Sequence, residues 1–121
     1  MTGPERRRAP RVVTRLPLTI RDKQEELIAR TKNISASGAY CTLRRALAPM
    51  TKLQVRLEIP GRRHPTRISC EGVVVRVDRP SGNPYRGSCN VAIFFSDIAD
   101  RHRAVLAHYV HQRLNASSPR G

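Results

Sequence analysis

Apolar and polar residues alternate strictly through the segment TKLQVRLEIPG, positions 51–61. Leu53, Val55, Leu57 and Ile59 fall on one side of an extended chain, and the residues between them are charged or carry an amide. A period of two is the pattern of a β-strand with one face buried and one face solvated. The segment therefore predicts a half-buried strand.

Five more segments have a short apolar period and are bounded by turn residues. They are VVTRLPLTI (12–20), ELIARTKNI (26–34), AYCTLR (39–44), TRISCEGVVVRVD (66–78) and SCNVAIFF (88–95). Pro17 predicts an edge or a bulge, and Gly72 a bulge or bend. NISASG (33–38) is predicted as a loop, and RPSGNPYRG (79–87) as a hairpin loop.

Towards the C-terminus the period changes, and SDIADRHRAVLAHYVHQRL (96–114) is predicted as one amphipathic helix. Ser96 or Asp97 is expected to cap its start, with Asp100 in the first turn. Its apolar stripe comprises Ile98, Val105, Leu106, Tyr109 and Val110. Six strands followed by a helix predict an all-β-dominated fold, a small six-stranded antiparallel β-barrel with a C-terminal α-helix.

The size and composition fit one such domain. The chain has 121 residues, of which 39% are hydrophobic, and only five are aromatic, so the core is expected to be aliphatic. Because side chains fill the interior of a small barrel, a ligand is expected on the outside or at the rim.

The cysteines and the apolar runs indicate where in the cell the protein is expected. The three cysteines are widely spaced and odd in number, which predicts small buried hydrophobes in a reducing compartment rather than disulfides or a zinc site. No apolar run approaches the length needed to cross a membrane, and no signal peptide is recognisable. We therefore expect a cytoplasmic protein without membrane insertion.

Catalytic and metal-binding patterns are missing from the sequence. His102, His108 and His111 lie on the predicted helix, but no two are four residues apart, and His64 lies in a turn. There is no Walker-type phosphate loop, no GxSxG and no spacing that indicates a triad. The sequence predicts a protein that is not an enzyme and that has no metal and no cofactor.

The charge is the strongest clue to a partner. The chain has 23 basic and 9 acidic residues, a net charge of +14, which attracts phosphate-bearing molecules. An arginine-rich codon bias would explain the total but not the cluster ERRRAPR at 5–11. This arm is either a solvated basic tail or one half of an anion-binding site.

Two short patterns favour the second interpretation. Arg7 and Arg11 form RxxxR, and Asn33, Ser35 and Gly38 form NxSxxG. Arginine presents a planar fork of donors that suits phosphate or the O6/N7 edge of guanine. Asn and Ser supply neutral donors and acceptors, and a glycine permits unusual backbone angles and close approach of a ligand.

Taken together, ERRRAPR before the first strand and KNISASG after the second resemble the PilZ domain family of bacterial receptors for cyclic di-GMP. CEGVVVRV and VAIFFSDI resemble the family's fifth strand and the junction of its last strand with the C-terminal helix. The resemblance implies a six-stranded barrel with a flexible N-terminal arm (1–11), followed by the barrel and helix (12–114) and a disordered tail (115–121).

The resemblance also implies roles for individual residues. Arg7 and Arg11 would clamp guanine and phosphate groups, while Asn33 and Ser35 would contact a guanine from the barrel face beside Gly38. Asn33 stands where many members have Asp, which changes the hydrogen-bonding pattern. As a loop residue, Ser35 is expected to matter little for folding.

Two more arginines extend the implied site. Members with an arginine just before RxxxR tend to bind an intercalated dimer of the ligand, and Arg6 holds that place. Arg8 would add a phosphate contact. The implied function is a receptor or adaptor that passes second-messenger level to an unidentified downstream protein or to a change in oligomeric state. The alternatives are nucleic-acid binding through the basic surface and a PilZ-like adaptor that does not bind the nucleotide.

Overall fold

A computed structural model describes residues 10–45, 47–61, 63–78 and 88–117 of the chain. The strands and the helix are β1 (Val12–Val13), β2 (Pro17–Asp22), β3 (Glu25–Ser35), β4 (Gly38–Leu43), β5 (Lys52–Ile59), β6 (Thr66–Asp78), β7 (Cys89–Asp97) and α1 (Asp100–Ser117). The predicted hairpin loop at 79–87 and the first nine residues lie outside the described residues.

The sheet is a closed antiparallel barrel. Strands β3, β2, β5, β6, β7 and β4 are hydrogen-bonded in that order, and β4 pairs back onto β3. Closure depends on the length of β3, because its first half pairs with β2 and its second half with β4. The predicted six-stranded antiparallel barrel with a C-terminal helix is confirmed.

The first predicted strand is divided in two around Pro17. Val12 and Val13 pair with Ile34 and Asn33, and pairing with β3 resumes one register step out at Pro17. Because a proline has no N–H to donate, an interruption of strand pairing next to Pro17 leaves few backbone groups without a hydrogen bond. The predicted bulge is confirmed, and β1 is an additional short strand on the same edge of β3.

The core is aliphatic. The alternation in β5 is confirmed, since Leu53, Val55, Leu57 and Ile59 are each no more than 3% exposed. Phe95 is the largest of the fully buried side chains in the described part of the chain. Burying these side chains is the main favourable contribution to folding.

The three cysteines are buried free thiols, as predicted. Burial raises the pKa of the Cys41 thiol to about 12, with a smaller contribution from Cys89, and raises that of Cys70 to about 11. The Cys41 and Cys70 thiols therefore stay protonated and contribute as small apolar groups.

The helix begins later than the sequence indicates. Ser96 and Asp97, the predicted caps, belong to β7, because Asp97 still pairs with Glu71 across a bulge. The N–H of Arg103 donates to the carbonyl oxygen of Ala99, so the first helical turn follows that residue, and Asp100 lies in the first turn as predicted.

The helix also ends three residues beyond the predicted Leu114, at Ser117. Pro119 is the first residue after Leu114 that strongly disfavours a helix, because a proline disfavours helical backbone angles in the residue before it. The predicted apolar stripe is confirmed for Val105, Leu106, Tyr109 and Val110, which are buried or pack against the core. Ile98 is also buried, but it precedes the helix and is not part of the stripe. No helix in the described residues is long and apolar enough to cross a membrane.

Candidate functional site

The two halves of the sequence pattern meet at Arg11 and Asn33. Arg11 directly precedes β1, and the pairing of Val13 with Asn33 brings the end of the arm onto β3. The Nη1 group of Arg11 donates a hydrogen bond of 3.0 Å to Oδ1 of Asn33. This is the one hydrogen bond of the Arg11 guanidinium to another described residue, and it uses one of the five N–H donors of an exposed side chain. Arg6, Arg7 and Arg8 lie outside the described residues.

The segment NISASG is only in part the predicted loop, because Asn33 and Ile34 belong to the strand also predicted at 26–34. Asn33, Ile34 and Ser35 are the last residues of β3, and only Ala36 and Ser37 form the turn before Gly38 opens β4. Its small polar residues favour a turn locally, but β1 and β4 pair with both edges of β3 here and impose an extended backbone.

Ser35 has a structural role that the sequence did not reveal. It is 1% exposed, and its Oγ accepts a hydrogen bond of 3.1 Å from the backbone N–H of Ser37. The Ser35 Oγ also lies 3.2 Å from the Ser37 hydroxyl and 3.4 Å from the carbonyl oxygen of Gly38. The expectation that Ser35 matters little for folding is therefore wrong, because its hydroxyl closes the β3–β4 turn.

We expect Ser35→Ala to lower the free energy of unfolding by about 1–3 kcal/mol, the usual cost of leaving a buried polar group without its partner. Urea denaturation monitored by circular dichroism would measure this. Ser96→Ala, at an exposed position, is the control and should change little. An unchanged midpoint for Ser35→Ala would show that the turn does not need the hydroxyl.

Gly38 is required by the barrel itself. A Cβ at this position would lie 2.3 Å from the carbonyl oxygen of Ile93 on β7, far inside van der Waals contact. The close approach of β4 to β7 therefore explains the glycine of NxSxxG without reference to a ligand.

The outer face of the barrel continues from Asn33 as a row of side chains. Through successive strand pairings, Val13 lies beside Asn33, Asn33 beside Tyr40, Tyr40 beside Ala92 and Ala92 beside Arg76. Val13 and Arg76 are exposed and the three residues between them are half-buried. The row forms a continuous surface next to the arm.

A polar cluster ends this row. The Tyr40 hydroxyl donates a 2.7 Å hydrogen bond to Oδ2 of Asp78, and Nε of Arg76 lies 3.2 Å from the same oxygen. The guanidinium carbon of Arg76 is 5.4 Å from the centroid of the Tyr40 ring. The hydrogen bond from Tyr40 is the main cause of the lowered pKa of Asp78, and the same bond raises the pKa of Tyr40.

Sequence reasoning missed this cluster. The only signal was that Arg76 and Asp78 are two residues apart on a strand and that Tyr40 alternates with the buried Cys41, which places all three outside the barrel. No three His, Cys, Asp or Glu side chains converge as a metal site anywhere in the described part of the chain.

Residues 5–112 match the model of the PilZ domain family. This chain belongs to the PilZ domain family. The match spans both the arm that carries RxxxR and the barrel that carries NxSxxG. No match was found among curated protein sequences.

Solved structures of other PilZ proteins have the same fold. The inhibitor of motility MotI/DgrA of Bacillus subtilis has a TM-score of 0.79 at 23% identity over 93% of this chain and 53% of its own. The PilZ domain of YcgR from Escherichia coli with c-di-GMP has a TM-score of 0.66 at 13% identity over 93% of this chain and 94% of its own.

A third structure is the PlzA protein of Borreliella burgdorferi in complex with c-di-GMP, with a TM-score of 0.58 at 9% identity over 97% of this chain and 56% of its own. This PilZ chain therefore spans about half the length of MotI/DgrA and of PlzA. At these identities the likeness is one of fold.

Proposed function

We propose that this PilZ domain is a receptor for cyclic di-GMP that acts by binding and not by catalysis. The observation that carries the proposal is the hydrogen bond between Arg11 and Asn33, which joins the arginine arm to the barrel half of the motif. Support also comes from the fold shared with YcgR and PlzA, both solved with c-di-GMP.

The chemistry of the ligand suits this surface. Cyclic di-GMP carries two negative phosphates and two guanines, and Arg7 and Arg11 are proposed to grip them with paired hydrogen bonds. Asn33 would contact a guanine edge once the Arg11 guanidinium turns from its amide oxygen to the ligand. Ser35 and Gly38 would shape the floor of the site through the turn and the β4–β7 contact described above.

The outer row supplies a surface on which bases can stack. Arg76 holds its guanidinium beside the Tyr40 ring, on the same face as Asn33 and three positions along the row. Planar guanidinium groups stack on bases. We include Arg76 in the proposed site on this ground.

The proposed ligand is an intercalated dimer of cyclic di-GMP, with Arg6 and Arg8 adding cations next to the clamp. Calorimetric titration should then give a ligand-to-protein ratio near two, and Arg6→Leu should lower it towards one. Lys32→Leu, which removes an exposed cation from β3, is the control and should leave the ratio unchanged. A ratio of one in the unmodified protein would contradict the dimer.

The output of the receptor is proposed to be an interaction with a downstream protein or a change in oligomeric state in the bacterial cytoplasm. Ligand that bridges the arm and the barrel would alter the surface that a partner meets. Ordering the arm costs conformational entropy, which charge-assisted bonds to the phosphates would offset.

One experiment separates this function from the two alternatives. The purified protein is titrated with cyclic di-GMP, GTP and single-stranded DNA at physiological ionic strength. Tight, saturable binding of the cyclic dinucleotide alone is the expected result. Preferential binding of DNA would favour a nucleic-acid-binding module, and no binding of any of the three would favour an adaptor that does not bind the nucleotide.

A further inference from the structure

A second basic surface lies beside the candidate site and is not used by it. It is a groove of about 530 Å³ on the outside of the barrel, where β2, β3 and β4 meet. Among the residues that line it are Arg15, Pro17, Ile28, Arg30, Thr42 and Arg44. We call this surface the arginine groove.

The strand register arranges the three arginines across the groove. Arg30 lies between Pro17 on β2 and Thr42 on β4, its pairing partners on the two edges of β3. Arg15 precedes Pro17 by two residues, and Arg44 follows Thr42 by two. Because the strands are antiparallel, Arg15 and Arg44 lie on opposite sides of Arg30 along the groove.

Within the part of the chain that the structure describes, no carboxylate neutralises the arginines of the groove. None of the three is within ion-pair distance of a carboxylate in the described residues, and all three are exposed. Other arginines of the barrel differ, because Arg56 on β5 pairs with Glu26 at 3.3 Å and Arg67 on β6 pairs with Glu58 at 3.3 Å.

The groove also contains an exposed apolar side chain. Ile28 is 75% exposed, and it lies on β3 two residues before Arg30. An exposed isoleucine beside arginines that have no carboxylate partner among the described residues suits a ligand that brings both negative charge and an apolar side chain.

We propose that the arginine groove docks an acidic segment of a partner protein, with carboxylates on Arg15, Arg30 and Arg44 and an apolar residue on Ile28. Nucleic acid fits less well, because none of the described residues that line the groove is aromatic and none of them offers a platform for base stacking. The proposal does not depend on the cyclic di-GMP site, since Arg11 and Asn33 do not line the groove.

Three labelled probes test the proposal by fluorescence anisotropy: a synthetic peptide repeating Glu-Glu-Leu, one repeating Glu-Glu-Ser, and an oligothymidylate of equal charge. The Leu-containing peptide should bind most tightly. Arg30→Glu and Arg44→Glu should each weaken its binding by about ten-fold or more, since opposed charges become like charges at the contact.

Arg63→Glu is the matched control. Arg63 is exposed, has no carboxylate partner in the described residues and lies on the β5–β6 connection, and it is not among the residues that line the groove. It should weaken binding by less than about three-fold, because only long-range, screened attraction is lost. Ile28→Ser should weaken the binding of the Leu-containing peptide and leave the binding of the Ser-containing peptide unchanged.

Three results would overturn the proposal: equal losses for all three charge reversals, tighter binding of the oligothymidylate than of the Leu-containing peptide, or no binding of that peptide at all. Thermal melts verify that each variant is folded. The Arg44→Glu variant should retain its affinity for cyclic di-GMP. Loss of that affinity would show that the groove is part of the nucleotide site and would also overturn the proposal.

Discussion

Replacing Arg11 with alanine should weaken binding of cyclic di-GMP by about thirty-fold or more, and Arg7→Ala should have a similar effect. Removing one partner of a desolvated, hydrogen-bonded charge pair costs roughly 2–5 kcal/mol. Arg11 is placed for such a contact, since its side chain is exposed and its guanidinium reaches Asn33. Calorimetric titration of each variant gives the affinities.

Arg101→Ala is the control for the bulk charge. It removes one of the same 23 basic residues, but from the exposed surface of α1. If a net charge of +14 drove binding, all three substitutions would have similar small effects. Thermal melts should be nearly unchanged throughout, because the Arg11–Asn33 hydrogen bond is exposed and contributes little to stability. Equal affinities for the three variants would contradict the arginine clamp and would mean that the ligand is held only by the overall positive charge.

Replacing Gly38 with valine should lower the free energy of unfolding by at least about 3 kcal/mol. This is at or above the upper end of the usual cost of overpacking a protein core. The new Cβ would lie 2.3 Å from the carbonyl oxygen of Ile93, so two barrel strands would have to separate. Since native domains are stable by only about 5–15 kcal/mol, this is a large share of the total. Urea denaturation measures the change.

Gly72→Ala provides a comparison within the same barrel. A Cβ there would also be close to its neighbours, at 2.7 Å from Cγ2 of Ile93 and 3.1 Å from Cγ2 of Val55, but these are side-chain methyl groups that can shift. We therefore expect Gly72→Ala to cost less than Gly38→Ala. Equal costs, or a Gly38 variant of unchanged stability, would contradict the structural role of this glycine.

The barrel could be predicted from the sequence because alternation records which face of a strand is buried. The predicted bounds of the strand at 66–78 coincide with those of β6. Errors arose where local preference and sheet pairing disagree. Ser96 and Asp97 are good helix caps in isolation, and Ser35 is a typical turn residue, but Ser96 and Asp97 belong to β7 and Ser35 belongs to β3.

The candidate site could be predicted only in part. The arm and the NxSxxG segment are each continuous in sequence, so their residue types were visible, and their contact followed from family resemblance. The cluster of Tyr40, Arg76 and Asp78 joins strands far apart in the chain, so only the register of β4, β7 and β6 reveals it. Likewise, the burial of Ser35 depends on packing that no local pattern encodes.

The central claim is that cyclic di-GMP binds where the arm meets the end of β3. Two-dimensional NMR of the amide and side-chain amide groups during a titration tests it most directly. We predict large shifts for the side-chain amide of Asn33 and the backbone of residues 33–38, with little change at Arg56, Arg63 and Arg67 across the barrel. Shifts of similar size at those three arginines, or none at Asn33, would contradict the account.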